Sequence, residues 1–336
     1  MSASTPSDSK DVVSEQLRLA SLNGFSFKQF LSGSFGAHSV EEFESHLSCG
    51  SSHYTPALHF LMARFPQPWA FLKVFAGALI AYLLLWGTMA QYQQSALALL
   101  PALIFVGSFV FPLAVLVLFY ELNTPMNVSL VHVVKLVFLG GAVSFVFTFL
   151  LADALPILPY LYGASSAGFI EEAAKIIAVI LFARVAIQNR HPWALNGVLY
   201  GAAVGTGFAA LESAGYALRI GLETNSFLAL NTNLLMRGIL SPFTHIVWTA
   251  IAGGAFWLAY RQHGSLIRAF FSLRFVTLFI TSVTLHFVWN SHINFSFFPL
   301  YLKFAILGVF AWAILLRLVA TGYKEIKQSV LASSHQ

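Results

Sequence analysis

From residue 67 onwards the chain alternates long apolar stretches with short polar breaks. Each stretch has about 20 residues, which is the length that an α-helix needs to cross the hydrocarbon core of a bilayer. Eight stretches of this kind lie at about 69–90, 96–120, 131–152, 162–184, 194–219, 236–260, 272–291 and 298–320. The pattern therefore predicts an all-α fold, a polytopic membrane bundle of about eight transmembrane helices.

The hydrophobic pattern also divides the chain into three parts. Residues 1–66 are mixed and polar, start with a Ser/Thr/Asp-rich stretch that cannot bury much apolar surface, and end at Pro66-Gln67-Pro68. We interpret them as a cytoplasmic N-terminal segment. Residues 67–321 are predicted to form the membrane domain, and residues 322–336 a short basic cytoplasmic tail.

Composition agrees with this class of protein. Of the 336 residues, 58% are hydrophobic and only 9% are charged, and the mean hydropathy is +0.75. The net charge of +5 does not indicate nucleic-acid binding, because the basic residues cluster at helix ends, where they set topology. The single cysteine, Cys49, excludes an internal disulfide framework.

The distribution of Lys and Arg predicts the orientation of the bundle. On one side, the flanking basic residues are Lys10, Arg18, Lys28, Arg64, Arg184, Arg190, Arg261, Arg268, Arg274, Arg317, Lys324 and Lys327. On the other side they are Arg219 and Arg237. By the positive-inside rule, both termini are expected to be cytoplasmic.

The fifth predicted helix carries a stripe of small residues at intervals of four. They are Gly197, Gly201, Gly205, Ala209 and Ser213. Small side chains on one helix face allow another backbone to approach closely, so this helix is expected to lie at the centre of the bundle.

Ionisable and polar residues occur inside four of the predicted helices. They are Glu171, Glu172 and Lys175 on the fourth helix, Glu212 and Tyr216 on the fifth, His245 on the sixth, and His286 and Asn290 on the seventh. A charge at the centre of a membrane helix costs about 2.5–3.5 kcal/mol on insertion scales. Helix geometry puts all four sets at depths of roughly 8 to 14 Å in the outer half of the membrane, so we expect one shared site.

Each set also has a purely structural interpretation. Glu171 or Glu172 with Lys175 can be a buried ion pair, and Glu212 with Tyr216 a hydrogen-bonded pair. His245, which follows Ser241-Pro242, can bond to a carbonyl freed by the proline. His286 and Asn290, close to a helix end, can cap or bridge helices.

The order of these motifs resembles that of the PrsW-type intramembrane proteases, which are similar in turn to the CAAX-processing and bacteriocin-processing membrane endopeptidases. The resemblance covers about residues 160–295 and rests on Glu171-Glu172-x-x-Lys175, Glu212-x-x-x-Tyr216, His245 and His286-x-x-x-Asn290. Leu211 replaces the usual Phe before the second-motif Glu, an apolar change of small consequence.

The resemblance implies an endopeptidase that cuts a membrane-anchored protein near the extracytoplasmic face. It suggests an anti-sigma-factor-like regulator as substrate and a bacterial inner membrane as location. It further implies Glu171 as general base, Glu212 or His245 as groups that hold the water, and His286 and Asn290 as oxyanion donors. Lys175 would pair with Glu172 or Glu171.

Three alternatives stay open at this point. Helical spacing favours a pair of Lys175 with Glu171, which would free Glu172 as the base, whereas the resemblance favours Glu171. We expect no cofactor, although Glu171, Glu212, His245 and His286 offer ligands for zinc in the absence of an HExxH motif. A proton- or ion-coupled transporter, or a catalytically silent receptor or scaffold, would also explain intramembrane Glu, Lys and His.

Overall fold

The computed structural model of the chain describes residues 35–37, 39, 47, 50, 55, 68–92, 97–184, 187, 191–292 and 300–334. Most of the predicted N-terminal segment, residues 1–66, therefore lies outside the described residues. The described part is helical throughout and contains no strand. The all-α prediction is confirmed.

Eleven helices follow one another along the described chain. They are α1 Ala70–Tyr92, α2 Leu100–Leu122, α3 Leu130–Ala154, α4 Ile157–Tyr162, α5 Ala167–Ala183, α6 Ala194–Thr224, α7 Phe227–Leu240, α8 His245–His263, α9 Leu266–Phe270, α10 Leu273–Asn290 and α11 Leu300–Ser334. A π-helical turn, Leu136–Gly140, interrupts α3, and a 3₁₀ turn, Gly163–Ser166, leads into α5.

These helices match the predicted spans closely. In the described residues, seven helical stretches are long and apolar enough to cross a membrane, with α7 and α8 counted as one broken span, Phe227–His263. The remaining predicted span, 162–184, corresponds to the 17-residue helix α5. Helix α11 continues to Ser334, beyond the predicted start of the tail at residue 322. The bundle thus agrees with a polytopic membrane protein of about eight transmembrane helices.

Helix α6 is the centre of the bundle, as its small-residue stripe predicts. In the most apolar stretch of α6, 94% of the residues are buried, whereas in the corresponding stretch of α1 only 11% are buried. A Cβ atom built on Gly197 would lie 2.6 Å from the carbonyl oxygen of Gly253, and one on Gly205 would lie 2.6 Å from that of His245. Glycine is therefore required where α6 crosses α8, since any side chain would push the two backbones apart.

A second close approach brings α5 against α10. A Cβ atom at Gly168 would lie 2.7 Å from the backbone nitrogen of Phe287 and 2.8 Å from the carbonyl oxygen of Val283. Gly168 is one turn before Glu172, and Phe287 follows His286. The contact therefore sets the distance between the carboxylates of α5 and the histidine of α10.

The sixth predicted helix, 236–260, is broken near its start. After α7, residues Ser241–Phe243 form a 3₁₀ turn, Thr244 leaves the helical conformation with φ −122° and ψ −126°, and α8 begins at His245. Pro242 has no N–H to donate, so a helix cannot run through this point without losing a hydrogen bond. The break gives His245 its position at the start of α8.

We predict that Gly201→Ala destabilises the protein, because the new methyl group would overlap the carbonyl oxygen of Thr249. Overpacking of this kind costs about 1–3 kcal/mol in the free energy of unfolding. Gly215→Ala, on the same helix with nothing within 4 Å of its Cβ position, is the matched control and should not destabilise. Denaturant unfolding of both variants in detergent micelles measures the difference, and equal stability of the two would contradict the packing argument.

Candidate active site

Helix α5 supplies two carboxylates and a lysine. Glu172 and Lys175 are buried, with side chains 1% and 0% exposed, and Lys175 Nζ is 2.5 Å from Glu172 Oε1. The same ammonium lies 4.6 Å from the centre of the Phe208 ring on α6. The pairing of Lys175 with Glu171 that helical spacing favoured does not form, because Lys175 turns to the buried side of α5, where Glu172 lies.

Helix α10 brings His286 to the same carboxylate. His286 Nδ1 is 2.9 Å from Glu172 Oε1, and the ring is 2% exposed. A carboxylate only accepts hydrogen bonds, so Nδ1 carries the proton and Nε2 presents its lone pair. The indole of Trp248 stacks on the imidazole with a centroid separation of 4.6 Å and fixes the plane of the ring.

His245, the first residue of α8, lies between two charged partners. Its Nδ1 is 2.9 Å from Lys175 Nζ, and its Nε2 is 2.9 Å from Glu212 Oε2. An ammonium only donates, so Nδ1 accepts from Lys175 and Nε2–H faces Glu212. The alternative in which His245 bonds to a carbonyl freed by Pro242 does not hold.

Arg237 extends these contacts beyond the predicted residues. Its Nη2 is 2.5 Å from Glu212 Oε2, the oxygen that also meets His245. Six side chains from α5, α6, α7, α8 and α10 thus form one continuous series of contacts, which we call the polar chain. In order, the polar chain consists of Arg237, Glu212, His245, Lys175, Glu172 and His286.

Glu171 lies beside the polar chain and is not part of it. Its side chain is 13% exposed, and within the described residues it makes no hydrogen bond. The buried oxygen Oε2 is 3.9 Å from His245 Nδ1 and 3.8 Å from His286 Nε2. Two groups at such a distance can both contact a single water molecule.

A polar cavity of about 80 Å³ opens next to the two histidines. Its lining includes Glu212, Arg237, His245, His286 and Asn290. Asn290 Nδ2 is 3.4 Å from the carbonyl oxygen of Ala164, which leaves its second N–H without a partner among the described residues. The space is large enough to hold water beside the histidines.

Two predicted site residues have other positions than expected. Tyr216 is 42% exposed and does not face the histidines; instead the Arg237 guanidinium lies 4.4 Å from its ring centre. His286, expected as an oxyanion donor, already donates Nδ1–H to Glu172, so its cavity-facing nitrogen is an acceptor.

Sequence reasoning missed Arg237 and Trp248. The count of flanking basic residues assigns Arg237 to the outer side, although this residue lies inside the predicted span 236–260. An arginine within an apolar span was the available signal, since such residues are costly and face the protein interior. Trp248 gave no signal, because a tryptophan one turn after a histidine is ordinary in an apolar helix.

Fold and site together define a polytopic membrane protein with a water-accessible cluster of acidic and imidazole groups between its helices, as in an intramembrane hydrolase. A family model described as PrsW family intramembrane metalloprotease matches residues 129–319, which include every member of the polar chain. The chain belongs to the PrsW family and is an intramembrane protease. No curated protein and no solved structure matches it.

The family description raises the question of a metal ion. Ligand atoms of Glu171, His245 and His286 all lie within 4.8 Å of one another, and three protein ligands are usual for catalytic zinc. Glu212, the fourth predicted ligand, instead lies behind His245, much as Glu172 lies behind His286. Carboxylates behind ligand histidines are also usual at zinc sites.

One contact does not fit a metal on these three residues. His245 Nδ1, the nitrogen that faces Glu171, is 2.9 Å from the ammonium of Lys175. A metal ligand needs the same lone pair that this ammonium occupies. Of these three residues only Glu171 and His286 then have a ligand atom available, and catalytic zinc usually takes three protein ligands.

We predict that Lys175→Met lowers the free energy of unfolding by about 3–5 kcal/mol, because it leaves the buried Glu172 carboxylate without its cation. The double variant Lys175→Met/Glu172→Gln should recover most of this loss, since both charges are then absent. Unfolding in detergent micelles measures both. A single variant as stable as the wild type would contradict the ion pair.

Proposed function

We propose that the protein hydrolyses a peptide bond of a membrane-anchored protein near the extracytoplasmic face, with Glu171 as the general base and without a metal ion. The observation that carries the proposal is the isolation of Glu171. Glu172 and Glu212 each lie 2.5–2.9 Å from a cation and a histidine of the polar chain, whereas Glu171 Oε2 is 3.8 Å or more from both histidines and is not hydrogen-bonded among the described residues. A general base must have a lone pair available for the water that it activates.

The site supports a specific position for that water. Glu171 Oε2 and His286 Nε2, 3.8 Å apart, are both acceptors, so one water molecule can donate a hydrogen bond to each. His286 is fixed for this task by Glu172 on one edge and by Trp248 on its face. The water oxygen would then point its lone pair at a substrate carbonyl carbon in the cavity.

Hydrolysis would proceed in two proton transfers through Glu171. In the first step the water oxygen bonds to the carbonyl carbon, Glu171 takes the proton, and the carbonyl π electrons move to the oxygen. In the second step the oxyanion collapses, the C–N bond breaks, and Glu171 gives the proton to the leaving amine. Asn290, which lines the cavity and has an N–H to spare, would donate to the oxyanion.

The substrate and the location follow from chemistry and from the resemblance. A site buried between membrane helices acts on a bond that reaches the membrane, so we propose a single-pass protein such as an anti-sigma-factor-like regulator as substrate. The distribution of basic residues supports a bacterial inner membrane with both termini cytoplasmic. A coupled transporter is disfavoured by membership of a protease family and by the direct contact of the polar-chain residues with one another at one place.

We predict that Glu171→Gln lowers the rate of cleavage by at least about 10²-fold, because an amide cannot take up the proton of the water. The assay follows hydrolysis of dye-labelled casein by purified protein in detergent, together with new N-termini formed from single-pass proteins in liposomes. Glu223→Gln, at an exposed ion pair on α6, is the matched control and should keep the wild-type rate.

The identity of the base depends on the comparison with Glu172→Gln in the same assay. Full activity of Glu171→Gln together with a well-folded, inactive Glu172→Gln would assign the base to Glu172. Substrate-dependent or proton-dependent flux in liposomes, with no cleavage by the wild type, would favour the transporter.

We predict that exhaustive chelation leaves cleavage unchanged, because Lys175 occupies the lone pair of His245 that zinc would need. Elemental analysis of the purified protein should find no stoichiometric zinc, and His286→Ala should not alter the zinc content. Activity that disappears on chelation and returns with zinc, together with one bound zinc per chain, would instead establish a metal mechanism.

A further inference from the structure

Arg237 is held by three side chains on one face of helix α6. Glu212 pairs with its Nη2 at 2.5 Å, Ser213 Oγ is 3.3 Å from its Nε, and the ring of Tyr216 lies 4.4 Å below its guanidinium carbon. Residue 216 is four positions after 212 and three after 213, so Tyr216 shares a helix face with each of the other two. Three partners fix the plane of a side chain that otherwise has many rotamers.

The guanidinium is both held and accessible. Its side chain is 27% exposed, about twice the 14% of Glu212, and it lines the cavity together with His245, His286 and Asn290. Among the described residues, Nη1 makes no hydrogen bond. The group therefore keeps two directed N–H donors and a full positive charge beside the cavity.

The two histidines do not provide hydrogen-bond donors to the cavity, and the Arg237 guanidinium would provide them. Nδ1 of His245 accepts from Lys175, its Nε2–H is directed at Glu212, and the free nitrogen of His286 is an acceptor. Neither ring therefore offers a donor to the cavity. A negatively charged oxygen that forms there needs hydrogen-bond donors, and the single amide of Asn290 would stabilise it only weakly.

We propose that Arg237 is a catalytic residue that contacts the substrate and stabilises the oxyanion through Nη1, with Tyr216 as the positioning residue that holds its plane. The inference rests on the proposed hydrolysis. When the water oxygen bonds to the carbonyl carbon and the π electrons move to oxygen, that oxygen acquires a full charge, and Arg237 pairs with it. When the C–N bond breaks, the electrons return and the pairing ends.

This role accounts for the spacing of Glu212 and Tyr216 better than a structural role does. If Arg237 only neutralised Glu212, the ion pair alone would suffice, and neither the stacked ring nor the exposure of the guanidinium would be needed. A planar guanidinium stacked on an aromatic face keeps its charge and its fork geometry, which a lysine cannot reproduce.

The test measures kcat and KM for dye-labelled casein with Arg237→Ala, Arg237→Lys and the control Arg219→Ala, which removes an arginine from the exposed Arg219–Glu223 pair on α6. We expect Arg237→Ala to lower kcat about 10²-fold with KM within about threefold, as for loss of one oxyanion donor. Arg237→Lys should retain an intermediate rate. Guanidinium ion, at concentrations that leave the wild type folded, should partly restore Arg237→Ala but not Glu171→Gln.

The double variant Glu212→Gln/Arg237→Ala separates the two roles of the arginine. A catalytic Arg237 predicts that the double variant has a lower kcat than Glu212→Gln alone. Equal kcat values would mean that Arg237 only neutralises Glu212 and would overturn the proposal, as would a raised KM with unchanged kcat. If the wild type does not cleave, or if Glu171→Gln cleaves equally well, the proposed function itself is wrong. If Arg237→Ala cleaves at the wild-type rate while Glu171→Gln is inactive, only the proposed role of Arg237 is wrong.

Discussion

The contact between Lys175 and Glu172 is the interaction on which the rest of the site depends. Both side chains are buried between helices, at 0% and 1% exposed, so each charge is tolerable only beside the other. The pair also decides the proton positions of two histidines on other helices. Lys175 donates to His245 and thereby directs its second nitrogen at Glu212, and Glu172 accepts from His286 and thereby frees its second nitrogen for water. A single ion pair thus sets the chemistry of both rings and leaves Glu171 as the carboxylate without a partner.

The backbone has to meet narrow conditions for that pair to reach its partners. Glycines at 197, 201 and 205 let α6 and α8 touch, and Gly168 does the same for α5 and α10. The break at Pro242 then exposes the start of α8, so that His245 sits at a helix end rather than along a helix face. Larger side chains at these glycines would separate the helices, and an unbroken helix would remove His245 from the helix end. The glycines and the break are understood as conditions for bringing buried polar groups from five helices to one point.

Much of this architecture could be predicted from the sequence, since hydropathy fixes the spans and the cost of buried charge marks the residues that must meet. The all-α bundle, the central position of α6, and the meeting of Glu171, Glu172, Lys175, Glu212, His245 and His286 follow from those two constraints. The choice of Glu172 as the partner of Lys175 does not follow from these constraints. Glu171 and Glu172 are both within reach of Lys175 by spacing, and only the direction in which the lysine leaves α5 selects Glu172. The position of Arg237 inside an apolar span marks it as a residue that faces protein, but the sequence does not identify Glu212 as its partner.

The same arrangement of side chains is compatible with a zinc site and with a metal-free glutamate site, and Lys175 distinguishes the two. Two histidines backed by carboxylates, with a third carboxylate opposite, is the layout of a zinc centre, and it agrees with the description of the family as metalloproteases. In this chain an ammonium lies on the histidine nitrogen that a metal would bind. On the mechanism proposed above, Lys175 supplies from within the protein the positive charge that a metal ion would otherwise bring, and it does so without a free coordination position. A carboxylate without a hydrogen-bond partner then has to activate the water, and Glu171 is such a carboxylate.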